Sequence, residues 1–178
     1  MFVTKKIAII SGSNRPGRVA PAASAWLQQQ LATAHVAADI IDLAQVNLPF
    51  LPEAEPPAEG HYTHASTRNF AHLIDQYAGF VLVFGQYNWG YPAVLKNALD
   101  TVYAEWRGKP VATLIYGNHT MQADIAIRLV INGLRMRQLA TNIATPVPAS
   151  NDATTVAATL DPFAELVPPM AAEFAALI

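Results

Sequence analysis

Three short runs, Ile7 to Ile10, Phe80 to Phe84 and Val111 to Tyr116, are almost wholly apolar, and stretches of helical periodicity follow each of them. Runs of this length without polar alternation belong to parallel strands covered on both faces, so the rest of the chain must supply the covering helices. After the first run, Val19, Ala22, Ala23, Trp26, Leu27, Gln30 and Leu31 fall at i, i+3, i+4, i+7 spacing, which places Trp26, Leu27 and Leu31 in the core. Leu95, Ala98, Leu99 and Val102 repeat the pattern after Phe84, as do Ala123, Ala126, Ile127, Val130, Ile131 and Leu134 after Tyr116. Val36 to Leu43 and Leu139 to Ala144 read as two further strands. Phe70, Leu73, Ile74 and Tyr77 mark a helix that Ser66 or Thr67 can cap, and Leu160 to Ile178 a last helical region that Pro168 and Pro169 must break or kink.

Five strands alternating with helices imply an α/β fold, an open doubly wound parallel sheet with helices on both faces. Right-handed crossovers favour the flavodoxin-like order 2-1-3-4-5. The 178 residues suit a single domain, with no linker or internal repeat to divide it. Asn47 to Thr63, with Pro49, Pro52, Pro56 and Pro57, is too long for a plain connector and is expected as a semi-extended surface loop walling a site or an interface.

Cysteine is absent, which excludes disulfides, thiolate nucleophiles and iron–sulfur centres, so redox chemistry requires a bound cofactor. A net charge of -2 gives no field for nucleic acid or anionic lipid, and small-molecule chemistry is the better expectation. The N-terminal lysine pair precedes an apolar run too short for a signal peptide, and no run approaches the ~18 apolar residues of a membrane span. A cytoplasmic location is expected. His61 and His64 are three apart but lack a third ligand, so no metal site is expected there.

In an open sheet of this order the ligand sits beyond the carboxyl ends of the strands, where the loops after strands one, three and four meet. The first loop offers hydroxyls from Ser11 and Ser13, the Asn14 amide, Arg15, Arg18 and backbone N–H groups at a helix start, the donor set of a phosphate site. Its spacing is neither the P-loop nor GxGxxG, and such a turn can equally be only a turn. The second loop offers Gln86, Tyr87, Asn88, Trp89 and Tyr91, flat and amide side chains that suit a heteroaromatic ring or, equally, packing at an interface. Tyr116, Gly117, Asn118 and His119 open the third. No GxSxG elbow is present.

The segments GSNRPGR, QYNWGYPAVLKNALD and EWRGKPV together resemble the NADPH-dependent FMN reductase family, over Lys6 to about Leu139. The resemblance implies a flavodoxin-like enzyme passing hydride from NADPH or NADH through FMN to a quinone, azo, metal-oxyanion or flavin acceptor by a ping-pong mechanism. It implies that Ser13, Arg15 and Arg18 with their backbone N–H groups hold the FMN phosphate. Gln86, Tyr87, Asn88 and Trp89 then line the isoalloxazine, mostly through backbone contacts and the Asn88 side chain, and Gly117 approaches the ring. No protein acid or base is implied. A homodimer or homotetramer with the flavin near the subunit boundary is implied as well.

Two departures stand out: Gly85-Gln86 replaces the usual Pro-Glu, and Asn118-His119-Thr120-Met121 replaces a glycine-rich stretch. The second makes a flavin-binding module without turnover the alternative. Arg18, His119 and Arg107 are candidates for a donor 2′-phosphate contact.

Overall fold

The computed structural model describes residues 6–178; Lys5, one of the N-terminal lysine pair, lies outside them. Its sheet is parallel throughout, with order β2-β1-β3-β4 and two short strands, β5 and β6, sharing the outer edge of β4. The strands are β1 (Ile7–Ser11), β2 (Ala38–Asp42), β3 (Gly79–Gly85), β4 (Pro110–Tyr116), β5 (Arg137–Gln138) and β6 (Ile143–Thr145). Every residue of β1, β3 and β4 is buried, which is why these strands read as continuous apolar runs. β2 is shorter than expected and only partly buried, because it is the edge strand.

Alternation along β1 divides the core in two. Ala8 and Ile10 face a layer built from α3 (Ala65–Asp75), α4 (Ala93–Thr101) and α5 (Thr120–Gly133). Ile7 and Ile9 face α1 (Ala20–Thr33), α6 (Ala153–Leu160) and α7 (Val167–Leu177). Trp26, Leu27 and Leu31 are buried in that second layer, as their spacing predicts. In the first layer Trp106 is fully buried, with its ring edge-on to Phe80 at 4.8 Å and Phe70 at 6.3 Å. No helix among the described residues is long and apolar enough to cross a membrane.

Three expectations are corrected. The single fifth strand is two, because the Asn142 side chain intrudes: its Oδ1 accepts the Thr113 N–H at 2.8 Å, a donor on β4, while its Nδ2 donates to Leu139 O. Glu173 on α7 meanwhile binds the N–H groups of Ala140 and Thr141, taking them out of the ladder. The C-terminal region begins earlier than Leu160, with α6 capped by Asp152 accepting from Thr155 N; as expected it is interrupted at the prolines, a 3-10 helix (Asp161–Leu166) giving way to α7, whose first turn holds Pro168 and Pro169.

The third correction concerns α3, whose N-cap is His64 and not Ser66 or Thr67. The capping acceptor comes from across the proline-rich loop, which is pinned to the body and not free. Glu53 takes the His64 N–H at 3.0 Å and the Thr63 N–H and hydroxyl at 2.9 and 2.7 Å, and Asn97 clamps Leu51 N and Pro49 O. Burial pushes the Glu53 carboxyl up, but the bonds from Thr63 and His64 outweigh it and lower its pKa from 4.5 to about 2. A folded pKa below the unfolded one adds stability that is present above 4.5 and lost as pH falls toward 2. Thermal melts are therefore expected to fall across that window, and Glu53→Gln to flatten the fall; an unchanged pH profile in the variant contradicts the capping role.

Candidate functional site

At the carboxyl end of the sheet the three loops enclose two adjoining cavities. The inner one, about 200 Å³, is walled by Ser13, Arg15, Gly17 and Arg18 on one side, and by Gln86, Tyr87, Gly117 and Asn118 on the other. The outer one, about 470 Å³, is lined by Arg15, Gln86, Tyr87, Asn88, Trp89 and His119. Arg15, Gln86 and Tyr87 belong to both, so the two are one site.

The first loop turns on Pro16-Gly17, with Gly17 at φ +69°, a conformation that costs glycine little. Gly12 donates to Val83 O and ties the loop to β3, whereas the N–H groups of Ser13, Asn14, Arg15, Gly17 and Arg18 have no acceptor among the described residues. Unspent donors just ahead of a 14-residue helix are what an anion requires. Ser13 is buried, with its hydroxyl 3.4 Å from the Tyr87 phenol; Asn14 is exposed and lines neither cavity. Ser11 is the last residue of β1, buried with its hydroxyl unpartnered, and lines neither cavity either. Arg18 reaches the inner cavity but donates to Asp42 at 2.6 Å, and Asp42 also accepts from Ala44 N.

The second loop is the opposite case, with its donors already spent. Tyr87 and Gly90 exchange both backbone hydrogen bonds, closing a two-residue turn in which Asn88 and Trp89 sit at φ +46° and +66°. Gln86 N donates to Tyr116 O, and the Gln86 side-chain amide, its oxygen assigned to the side that faces two N–H donors, accepts from Asn88 N at 3.1 Å and Trp89 N at 2.7 Å. The backbone N–H groups of this loop are thus used inside it, so the backbone contacts expected with the isoalloxazine fall to its carbonyls, beside the side chains. One acceptor oxygen serves both N–H groups, and the Gln86 amide supplies it.

Glycine at 85 is explained by Tyr116: a Cβ there would lie 2.7 Å from the ring. That ring is buried, which raises the pKa of its phenol, and Tyr87 nearby raises it further, so Tyr116 stays neutral in the inner wall. Gly117, at φ +150°, passes so close to Gln86 that a Cβ would meet the Gln86 Cβ at 2.8 Å. Asn118 projects into the inner cavity and His119 into the outer, immediately before α5.

No Asp or Glu lines either cavity. Two arginines, unspent N–H donors and bare backbone at Gly117 therefore fit a phosphate-bearing group in the inner cavity, with a flat ring extending toward Trp89. A larger cavity, about 630 Å³, is at the opposite end of the sheet, lined by Lys6, Arg107, Lys109 and Arg137 among others. Two of its cations serve carbonyls at helix ends: Lys109 donates to Ile74 O and Arg137 to Leu177 O. Arg107 is therefore remote from the site and is withdrawn as a contact for the donor. His61 pairs with Glu55 at 2.9 Å, away from both site cavities.

Comparison with known proteins agrees with this geometry. The model of the NADPH-dependent FMN reductase family matches residues 5–147. The NAD(P)H-dependent FMN reductase of Saccharomyces cerevisiae is 33% identical over 156 residues, covering 80% of this chain and 81% of that protein. An NAD(P)H:quinone oxidoreductase from Methanothermobacter marburgensis superposes with a TM-score of 0.68 at 12% identity, over 94% of this chain and 100% of that one. An archaeal flavodoxin superposes with 0.59 at 11% identity, over 96% and 98%. With the flavodoxin-like strand order and a site shaped for a phosphate and a flat ring, the chain belongs to the NADPH-dependent FMN reductase family, oxidoreductases that use FMN and a reduced nicotinamide.

Proposed function

We propose that the protein passes hydride from NADPH or NADH to a small-molecule acceptor, a quinone, azo compound, metal oxyanion or free flavin, with donor and acceptor occupying the outer cavity in turn. The observation that carries this is the continuity of a donor-rich inner cavity with an aromatic outer one through Arg15, Gln86 and Tyr87. FMN, when bound, supplies the ring that takes and returns the hydride. Ser13, Arg15, Arg18 and the unspent N–H groups of their loop would hold its phosphate. Gln86, Tyr87, Asn88 and Trp89 would orient the ring through side chains and carbonyls, with Gly117 and Asn118 against its other side. Neither cavity contains a carboxylate or thiol positioned as acid, base or nucleophile, in keeping with chemistry borne by the cofactor.

Purified protein reconstituted with FMN is expected to hold the flavin and to bleach with NADPH or NADH, and a panel of acceptors then gives parallel lines in double-reciprocal plots. Protein that never retains FMN overturns the proposal. Retained flavin without bleaching selects the alternative, a binding module without turnover. A cytoplasmic location belongs to the proposal and is tested by cell fractionation.

A homodimer is part of the same proposal. Met121, Ile125 and Leu129 lie one turn apart on α5, 67%, 57% and 72% exposed, an apolar stripe that water disfavours. Antiparallel contact with the same stripe of a second copy is self-complementary, as a two-fold axis requires, and brings the partner beside His119 at the site mouth. Ile125→Glu is expected to convert a dimer into a monomer in sedimentation with little change in monomer folding, because Ile125 packs only lightly in the monomer. A wild-type monomer, or a dimer that survives the variant, contradicts this face.

A further inference from the structure

We propose that the outer cavity selects planar anions, with Trp89 supplying the flat face and His119, at the N-terminal end of α5, the hydrogen-bond donor; this rests on the proposed FMN site. Trp89 is 61% exposed although it is one of the bulkiest side chains, and it occupies the turn position where a left-handed φ of +66° normally calls for glycine. Holding tryptophan there is unfavourable, so the rest of the loop must enforce it. Gln86 does so by gripping the Asn88 and Trp89 N–H groups, and the Tyr87–Gly90 pair closes the turn beneath them. The indole is thereby fixed at the mouth of the cavity and not folded into the core.

The His119 ring is 5.8 Å from the indole, tilted at 48°, at the start of the 14-residue α5, whose N-terminal end carries positive partial charge. Arg15 closes the remaining side, and the titratable groups lining the cavity are Arg15, Tyr87 and His119, with no carboxylate. In a chain of net charge -2 this mouth collects hydrogen-bond donors and no carboxylate. Of the residues expected to contact a donor phosphate, Arg107 is at the opposite end of the sheet and Arg18 lines only the inner cavity, which leaves His119 in the outer one. An aromatic ring bearing a phosphate, sulfonate or carboxylate fits these groups: stacked on Trp89, with its anion on His119, Arg15 being engaged by the FMN phosphate. The anion can belong to the donor, as a 2′-phosphate, or to the acceptor.

Calorimetric titration of the FMN-loaded protein with naphthalene-2-sulfonate and neutral naphthalene-2-methanol tests this. The sulfonate is expected to bind about tenfold tighter or more, His119→Ala to erase about tenfold of that preference, and His119→Lys to keep it. A preference that His119→Ala leaves intact, or an equal loss of both ligands, overturns the proposal, since a merely structural role moves both alike. The kcat/KM ratios then assign the source. A fall in NADPH over NADH in His119→Ala places the anion on the donor, a fall in sulfonated over unsulfonated naphthoquinone places it on the acceptor, and no fall in either overturns the proposal. Flavin retention, measured on the same samples, separates the two levels. Protein that holds FMN but shows no anion preference fails here alone, whereas protein that holds no flavin overturns the proposed function and this proposal with it.

Discussion

Gly117→Ala is expected to destabilise the protein by about 2–4 kcal/mol and to abolish retention of FMN. Two costs combine at this position. The residue sits at φ +150°, which a side chain rarely adopts, and the new Cβ would meet the Gln86 Cβ at 2.8 Å. Neither side can yield easily: Gly117 N is bonded to Thr145 O on β6, and Gln86 N to Tyr116 O on β4. If Gln86 moves, its amide oxygen releases the Asn88 and Trp89 N–H groups, and the strained turn loses the grip that sets the ring-facing wall. Gly60→Ala is the control. It shares a positive φ, +75°, but meets nothing within 4 Å, so only the conformational cost of about 1–2 kcal/mol applies and flavin binding is unaffected. Urea unfolding and FMN titration of both variants check this; equal behaviour of the two means that the contact with Gln86 carries nothing.

The parts of the fold that were legible in the sequence are those where burial alone dictates the residue. β1, β3 and β4 are buried on both faces and could hardly be anything but apolar runs, and the helices covering them carry the complementary stripe. What escaped was decided by single polar side chains reaching far along the chain. Asn142 splits the last strand through a bond to Thr113, and Glu53 caps a helix from eleven residues before its N-cap. Periodicity carries no trace of either. The start of α6 did leave a signal, Asp152 as a cap ahead of an Ala- and Thr-rich run, but that run has few large apolar residues and a weak pattern.

The site was legible as a set of loops, because a doubly wound sheet gathers them at one end whatever their residues. Which donors are unspent was not legible. The first and second loops look equally polar in sequence, yet one leaves five N–H groups without acceptors and the other consumes its own. The same holds for arginines. Arg15 and Arg18 are interchangeable in the sequence, three residues apart on one loop, and Arg107 appears no worse a candidate than either. Only the fold separates them, by pairing Arg18 with Asp42 and sending Arg107 to the far end of the sheet.

That separation yields the second large effect. Arg15→Ala is expected to weaken FMN by about 1.5–3 kcal/mol, a loss of roughly 10- to 150-fold, with no change in stability. Arg15 is exposed, lines both cavities and has no carboxylate partner among the described residues, so its charge is available to a phosphate and nothing in the fold depends on it. Arg18→Ala is expected to do the reverse in part. Its guanidinium is engaged by Asp42, whose side chain is only 14% exposed, and removing it strands that carboxylate beside a buried strand end. The cost is about 1–3 kcal/mol of folding stability, with a smaller direct loss of FMN. Asp42 in turn caps the short helix α2 (Leu43–Val46), so that helix loosens as well. Flavin titration and thermal melts on the two variants separate the roles. If Arg15→Ala leaves FMN affinity unchanged, the phosphate lies elsewhere in the cavity; if Arg18→Ala leaves stability unchanged while affinity collapses, Arg18 and not Arg15 is the principal phosphate ligand and its bond to Asp42 gives way when flavin binds.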